Sequence, residues 1–526
     1  MARSREESVG PPDLILLSST ILTPSSALPR QAAVVVRDGL ITHVASQDEA
    51  VSLRGPRTVV LEFPGKCVVP GFHDAHIHLL ACAANRLGVD CGPGAVSSIS
   101  GIQQAIQQRA HSLPAGTWIR AGNYDEFRLA ERRHPTRWDL DVAATEHPVK
   151  LQHRSLHASV LNSVALQRVG MLGARSQYPR DLSDGTDRTS QESDGLLYEQ
   201  DDVLNAITPI AEEELRGSLR VVLSDLLAEG ITSVHDATFR NGLADWNRLR
   251  DVCAEAGLRP RIGFMVGLPN VEQFAAAGLA PGFGDEWLRI GGAKAMLTEA
   301  DGCFRPSTEE LGAQVRHARR LGYWVAVHAV EESCVCVAVE ALAGTAFRSS
   351  AIAHRIEHAS IVPPPLVDRM AEARVAVVTQ PGFIYHSGDR YLADVEEHLH
   401  PWLYPLRSLL KKGIPVGAGS DAPVAPARPL EGICAAATRM SSGERGVGQR
   451  EKITVEQALG LYTSGSALAC GEAGSKGAIQ PGKLADLVVL SADLVQIAPY
   501  DIKNVEVEMT IVGGIVAWAK GGTIEV

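Results

Sequence analysis

Six residues along the chain have the types and the order to build a reactive centre: His76, His78, Lys294, His328, His358 and Asp421. His76 and His78 stand two apart in VVPGFHDAHIHL (68–79), behind the β-branched apolar lead that a buried parallel strand carries. Strand side chains alternate between faces, so Asp74, His76 and His78 share one side while His73, Ala75 and Ile77 take the other. Two imidazoles projecting together suit two ligands of one metal ion. Lys294, His328, His358 and Asp421 each lie near the carboxyl end of a later apolar run. Singly, each has a plain structural reading as an ion-pair lysine, a packed histidine or a turn aspartate. Six of them, on five runs and in this order, read as one site.

The elements that must position them are βα units. Seven apolar runs follow the opening one: 231–237, 261–268, 288–297, 323–330, 351–359, 375–380 and 415–422. Helical stretches fall between them. EELRGSLRVVLSDLLAEG carries Leu215, Leu219, Val222 and Leu226 at helical spacing and stops at Gly230. A second helix is expected after Ser307, with Glu310 completing a capping box. Eight parallel strands are the count of a closed (β/α)8 TIM barrel, whose reactive residues gather at the carboxyl ends of the strands. The barrel is expected over residues 71–479. The two chain ends, 1–70 and 480–526, are strand-rich, with hairpin signals at Asp38-Gly39 and Gly513-Gly514, and they predict one small β domain made from both ends. Residues 83–213 are too long for a connection and predict an inserted subdomain over the carboxyl ends of the strands, acting as a lid or substrate-recognition piece.

Composition narrows the function class. The 526 residues hold 45% hydrophobic and 21% charged residues, ordinary for a globular enzyme. A formal net charge of −11 argues against nucleic-acid binding. Nine scattered cysteines without a CxxC pair predict free thiols in a reducing compartment. The apolar run near the start is too short for a signal peptide, and none approaches a membrane span, so a cytoplasmic protein is expected.

The phrases PGFHDAHIHL, HASVLNS, GITSVHDA, VHAVEE, HRIEHA, GSDAPV and PGKLADLVVL together resemble the amidohydrolase superfamily, and within it the amidohydrolase-3 or YtcJ-like branch that includes N-substituted formamide deformylases. The resemblance spans nearly the whole chain. It implies a distorted (β/α)8 barrel beside a β-sandwich of both chain ends. It also implies that His76 and His78 bind one metal ion, His328 and His358 a second, and that Lys294 bridges them as a carbamate, a carboxylated lysine. Asp421 would bind the first ion and carry the proton of the attacking water to the departing amine. Two ions roughly 3.5–4 Å apart would lower the pKa of a bridging water and polarise the scissile carbonyl. Zinc suits these ligands, with manganese, iron or cobalt as replacements.

The chain departs from the branch around the lysine, where AKAMLTEADGCF replaces a lysine followed by phenylalanine and a DGS-type run; one- and two-metal sites both stay open. Thr298, Glu299 and Asp301 are read either as supports of that lysine or as turn caps. His157 and Asn162 of HRSLHASVLNS are read as substrate contacts or as an internal network of the insert. Tyr385, His386 and Arg390 are expected on a loop after the seventh strand, facing the substrate. His354, His235-Asp236 and the Cys334/Cys336 pair are read as structural.

The expected activity is hydrolysis of a carbon–nitrogen bond in a non-peptide amide or N-substituted formamide, on a small-molecule substrate. Competing readings are a mononuclear deaminase or cyclic-amide hydrolase, a lyase or isomerase stabilising an enolate, and a non-catalytic binding protein on the same barrel. A homo-oligomer such as a dimer is the prior for barrels of this kind.

Overall fold

The computed structural model describes residues 10–24, 32–172, 193–198, 210–255, 257, 259–300, 302–344 and 354–522. The chain divides into two compact units, Met1–His78 with Leu223–Asp421 and Pro426–Val526, and Leu79–Val222 with Ala422–Ala425.

In the first unit eight parallel strands form one sheet in sequence order: Phe72–Ile77, Ile231–Asp236, Arg261–Gly267, Leu288–Ala295, Val325–Ala329, Arg355–His358, Ala376–Thr379 and Val416–Ala418. They match the eight apolar runs. Nearly every residue in them is buried, which is why the runs read as continuously apolar rather than alternating. The sheet curls until its last strand meets its first: the Asp421 amide donates to the His76 carbonyl at 2.7 Å. Gly419 permits that approach, since a Cβ there would lie 2.6 Å from the backbone nitrogen of His76. The result is a nearly closed, distorted TIM barrel.

The expected helices form. One spans Glu212–Ala228, with Leu219, Val222 and Leu226 buried, and the chain turns at Gly230. The other spans Thr308–Arg320 behind Ser307 and Glu310, with both arms of the capping box made. Among the described residues no helix is long and apolar enough to cross a membrane.

Both chain ends enter one seven-stranded sheet, ordered Ile515–Ala519, Val507–Val512, Leu487–Leu490, Val59–Pro70, Leu14–Ile21, Ala32–Arg37 and Leu40–Ser46. Alternate residues of its strands fill opposite faces: Leu14, Leu16, Val34 and Val36 join one apolar cluster, Ile15, Ala33 and Val35 another. Asp38 and Gly39 both take positive φ (52° and 73°) at the hairpin, as a tight two-residue turn requires. Arg261 clamps this sheet to the barrel, reaching Asp486 through Nε (2.8 Å) and Nη2 (3.1 Å) while Nη1 meets Glu286 (2.8 Å).

The second unit has its own five-stranded sheet, ordered Leu196–Tyr198, Ala158–Leu161, Val149–His153, Ile119–Tyr124 and Val89–Asp90. Helices Ile99–His111 and Arg137–Ala143 contribute Ile102, Ile106 and Leu140 to a core with Ile119, Leu151 and Val160. This unit begins at the end of the first barrel strand, and it carries the strand-like pieces WIRAGNY and HPVKLQH of the insertion. The polar stretch at 173–192 lies outside the described residues.

Candidate functional site

The HxH pair and Asp421 meet. His78 Nε2 lies 2.9 Å and His76 Nε2 3.4 Å from the same atom, Asp421 Oδ1. The three donor atoms that these residues offer lie within 4.8 Å of one another. Asp74, on the same side of the strand, fixes this junction: its Oδ1 accepts from the His76 amide at 3.1 Å and the Ser420 amide at 2.9 Å.

Three of the imidazoles are held by their outer nitrogens. His76 Nδ1 lies 2.5 Å from Glu357 Oε2, His78 Nδ1 2.9 Å from Thr238 Oγ1, and His358 Nδ1 2.9 Å from Gln380 Oε1. A carboxylate or amide oxygen on Nδ1 places the proton there and leaves Nε2 with its lone pair, the tautomer that binds a metal. His358 Nε2 is buried without a hydrogen-bond partner. The His358 ring stands 4.9 Å from His76 and 4.4 Å from His328, centroid to centroid. Lys294 projects from the fourth strand; it is buried, and its Nζ has no hydrogen-bond partner. All six expected residues lie in the barrel unit, and these contacts bring His76, His78, His328, His358 and Asp421 together.

Electrostatics keep the set in a donor state. Burial and the Lys294 charge push His76 down to about 3, against the pull of Glu357 and Asp421. Burial lowers His358 as well. Burial raises the Asp421 carboxyl, but His76, His78 and His358 outweigh it and hold it well below the usual range. Burial pulls the Lys294 ammonium down to about 8 even though Glu357 and Asp421 favour its charge. His76 and His358, biased to the neutral imidazole, and the anionic Asp421 carboxylate form a donor set for a divalent cation.

Backbone strain accompanies the site. His358 and Asp421 have φ of 70° and 59°, uncommon for residues with side chains and typical of functional positions. The turn at His358 breaks strand alternation, so Glu357 and His358, neighbours in sequence, both serve the same centre.

Glu357 is the residue that sequence reasoning missed. It is fully buried, and its Oε1 accepts from Arg355 Nε at 2.5 Å while Oε2 holds His76. Burial raises its carboxyl, yet Arg355, Lys294 and His76 hold it well below the usual range. The signal was present in HRIEHA, where a glutamate flanked by arginine and histidine in an apolar strand requires buried partners.

The remaining candidates fall elsewhere. Asn162 is completely buried in the inserted unit. Its oxygen accepts from the Val149 and Ala165 amides and its nitrogen donates to the Ala144 and His147 carbonyls, which uses all its bonding capacity internally. His157 is half-buried in the same unit. The loop expected to carry Tyr385, His386 and Arg390 is instead a helix, Gly382–Asp394, whose inner face packs Phe383, Ile384 and Gly388. All three are half-buried on it, and His386 Nε2 pairs with Glu431 at 2.9 Å. Thr298 and Glu299 lie in a small hairpin with Cys303–Arg305, where Glu299 accepts from Ser333 Oγ at 2.5 Å; Asp301 is outside the described residues. His354 is a packed core residue whose Nδ1 accepts from the Val325 amide. All nine cysteines are free; Cys334 is buried on its helix and Cys336 half-buried.

Residues 63–517 match the model of the amidohydrolase family. An N-substituted formamide deformylase of Arthrobacter pascens is 28% identical over 544 residues, 97% of this chain and 99% of the deformylase. YtcJ of Bacillus subtilis (strain 168) is 28% identical over 93% of this chain and 96% of its own. The crystal structure of a metal-dependent hydrolase of Pyrococcus horikoshii OT3 superposes with a TM-score of 0.74 at 24% identity, covering 92% of this chain and 99% of that one, and shares the fold. With a family match over most of its length and the order of strand-end residues laid out above, the chain belongs to the amidohydrolase family and is a hydrolase acting on carbon–nitrogen bonds.

Proposed function

We propose that the protein is a metal-dependent hydrolase that cleaves the carbon–nitrogen bond of a non-peptide amide, with N-substituted formamides as the first substrate class to test. The observation that carries this reading is the convergence of three imidazoles, each fixed through Nδ1, around Asp421. The residues fit a divalent ion: His76, His78 and Asp421 supply one donor set, and the orphaned His358 Nε2 and Lys294 Nζ supply buried polar atoms that lack a partner. His328 and His358 would hold a second ion, with Lys294 between the two as a carbamate, because a free ammonium would repel a dication and a carbamate offers anionic oxygen. Imidazole and carboxylate donors suit zinc.

A divalent ion bound here supplies Lewis-acid polarisation of the carbonyl and acidification of water. The protein's own groups do the rest. Asp421, held anionic between His76 and His78, takes a proton from the attacking water and returns it to the departing amine nitrogen. Glu357 locks His76 in one orientation, and Arg355 locks Glu357. The inserted unit and the helix Gly382–Asp394 are the proposed sources of substrate selectivity.

Elemental analysis of protein purified without chelator, followed by turnover on a panel of amides and N-substituted formamides, tests the proposal. Metal that depends on His76 and His78, with turnover lost on chelation and restored by zinc, supports it. Full turnover after exhaustive chelation overturns it.

A further inference from the structure

Deeper in the same barrel lies another group of donors that the hydrolytic centre does not use. His73 comes from the first strand, on the face opposite Asp74 and His76. His235 comes from the second strand, and its ring occupies the space where Gly263 lacks a side chain: a Cβ there would lie 2.2 Å from His235 Nε2. Cys470 and Glu472 come from the end of the helix Ser466–Ala469, which packs on the first, seventh and eighth strands. His73, His235 and Cys470 are all buried, at 2%, 1% and 5% exposure.

Four features of this group point to a bound cation. First, the donor atoms of His73, His235 and Cys470 lie within 4.8 Å of one another. Second, none of the four ring nitrogens of His73 and His235 has a partner in ordinary hydrogen-bond geometry, although both rings are cut off from water. Buried polar groups in folded proteins nearly always find partners, and a cation shared by these donors would supply the one that both imidazoles lack. Third, anionic donors face the same point. Glu472 Oε2 is 3.9 Å from His73 Nε2 and 3.7 Å from His235 Nε2, too long for hydrogen bonds yet directed at both rings. Burial pushes the Cys470 thiol up, but His235, His73 and Arg355 outweigh it and hold it well below its usual range. Burial likewise opposes a charge on His235, but Cys470 and Glu472 outweigh it and raise His235 to about 9, so this place favours a positive charge, which a proton carries when no metal ion does. Fourth, the anions have outer supports. Lys476 Nζ holds Glu472 Oε2 at 2.8 Å and Arg355 Nη1 donates to Cys470 Sγ at 3.3 Å, as residues behind a metal ligand do.

We propose that His73, His235, Cys470 and Glu472 form a second, structural metal site for a zinc ion, separate from the hydrolytic centre. Two imidazoles, a thiolate and a carboxylate make four donors, the number that closes a tetrahedral structural zinc site and leaves no position for substrate. Bound there, the ion ties the segment after the helix Ser466–Ala469 to the first two barrel strands. Its burial means that it enters as the chain folds.

The hydrolytic centre contains no sulfur donor, so sulfur distinguishes the two sites. Zinc K-edge absorption and elemental analysis are made on the full chain, produced in zinc-supplemented medium and purified without chelator. The wild-type protein is expected to show a zinc–sulfur shell at about 2.3 Å. Cys470→Ser is expected to lose that shell together with about one zinc per chain. His76→Ala is expected to lose zinc while the shell stays, which separates failure of this site from failure of the hydrolytic one. Should Cys470→Ser not fold, cobalt-grown wild-type protein gives the same reading through a thiolate-to-cobalt charge-transfer band, with His73→Asn and His235→Asn as the variants that abolish it. A wild-type protein without the sulfur shell and without that band, whether zinc-free or loaded only at nitrogen and oxygen donors, overturns the proposal. So does a shell that persists unchanged in Cys470→Ser.

Discussion

Two groups of buried histidines occupy one barrel, and they are held in opposite ways. Around Asp421 every ring of known outer contact is anchored from behind, His76 by Glu357, His78 by Thr238 and His358 by Gln380. Around Cys470 neither His73 nor His235 has any such anchor. Rings fixed from outside keep their geometry when the centre changes, as it must when substrate arrives and product leaves. Rings fixed only by what lies between them depend on that occupant for their positions. The first arrangement suits turnover and the second suits permanence. Arg355 belongs to both, with Nε on Glu357 and Nη1 on Cys470.

The largest expected effect comes from removing the proposed proton carrier. Asp421→Asn should lower kcat by about 10²–10⁴-fold in steady-state assays on the best amide substrate, with the sulfur-bound zinc unchanged. Loss of the shared arginine should blur the distinction. Arg355→Met leaves Glu357 and the Cys470 thiolate without their buried cation, and a cost of about 3–5 kcal/mol should appear as a lowered unfolding midpoint together with weaker metal retention at both places. Glu357→Gln sharpens it: metal affinity or activity at the rim should fall roughly 10–100-fold by titration with a competing chelator, while the lower group keeps its ion. Cys470→Ser tests the converse, with a lower melting temperature and a fall in turnover far smaller than that of Asp421→Asn. Ser307→Ala, which removes a helix cap remote from both groups, should cost about 1 kcal/mol of stability by denaturant titration and leave both metal signals intact.

The barrel and its rim were largely legible because their signals are local. Eight buried strands announce themselves as apolar runs, and histidine, lysine and aspartate side chains near their carboxyl ends interrupt those runs. What escaped the sequence depends on distant partners. Glu357 takes its meaning from His76, 281 positions away, and only the left-handed turn at His358 lets both act at one centre. His235 read as structural, and His73 only as part of the opposite face of the first strand, because Cys470 comes near them from a short helix with no metal-ligand spacing. The helix Gly382–Asp394 was masked by Pro381, Gly382 and Gly388, residues that punctuate loops more often than they begin or interrupt helices. Asn162 read equally as a substrate contact or as part of an internal network, and its partners make it the latter: it caps the helix Ser163–Arg168 and stitches the inserted sheet.

The seven-stranded sheet of both chain ends has a consequence for synthesis. The strand Val59–Pro70 leaves the ribosome early, but its partner on one side, Leu487–Leu490, is made only after the entire barrel. At ordinary elongation rates that side stays unpaired for roughly tens of seconds. An apolar strand with an open edge is a template for pairing with neighbouring nascent chains. Glu62, Pro64 and Lys66 interrupt this strand before CVV, and such residues are the ones that discourage intermolecular pairing. The yield of native protein should therefore be governed by how well that edge is shielded while the chain is still growing.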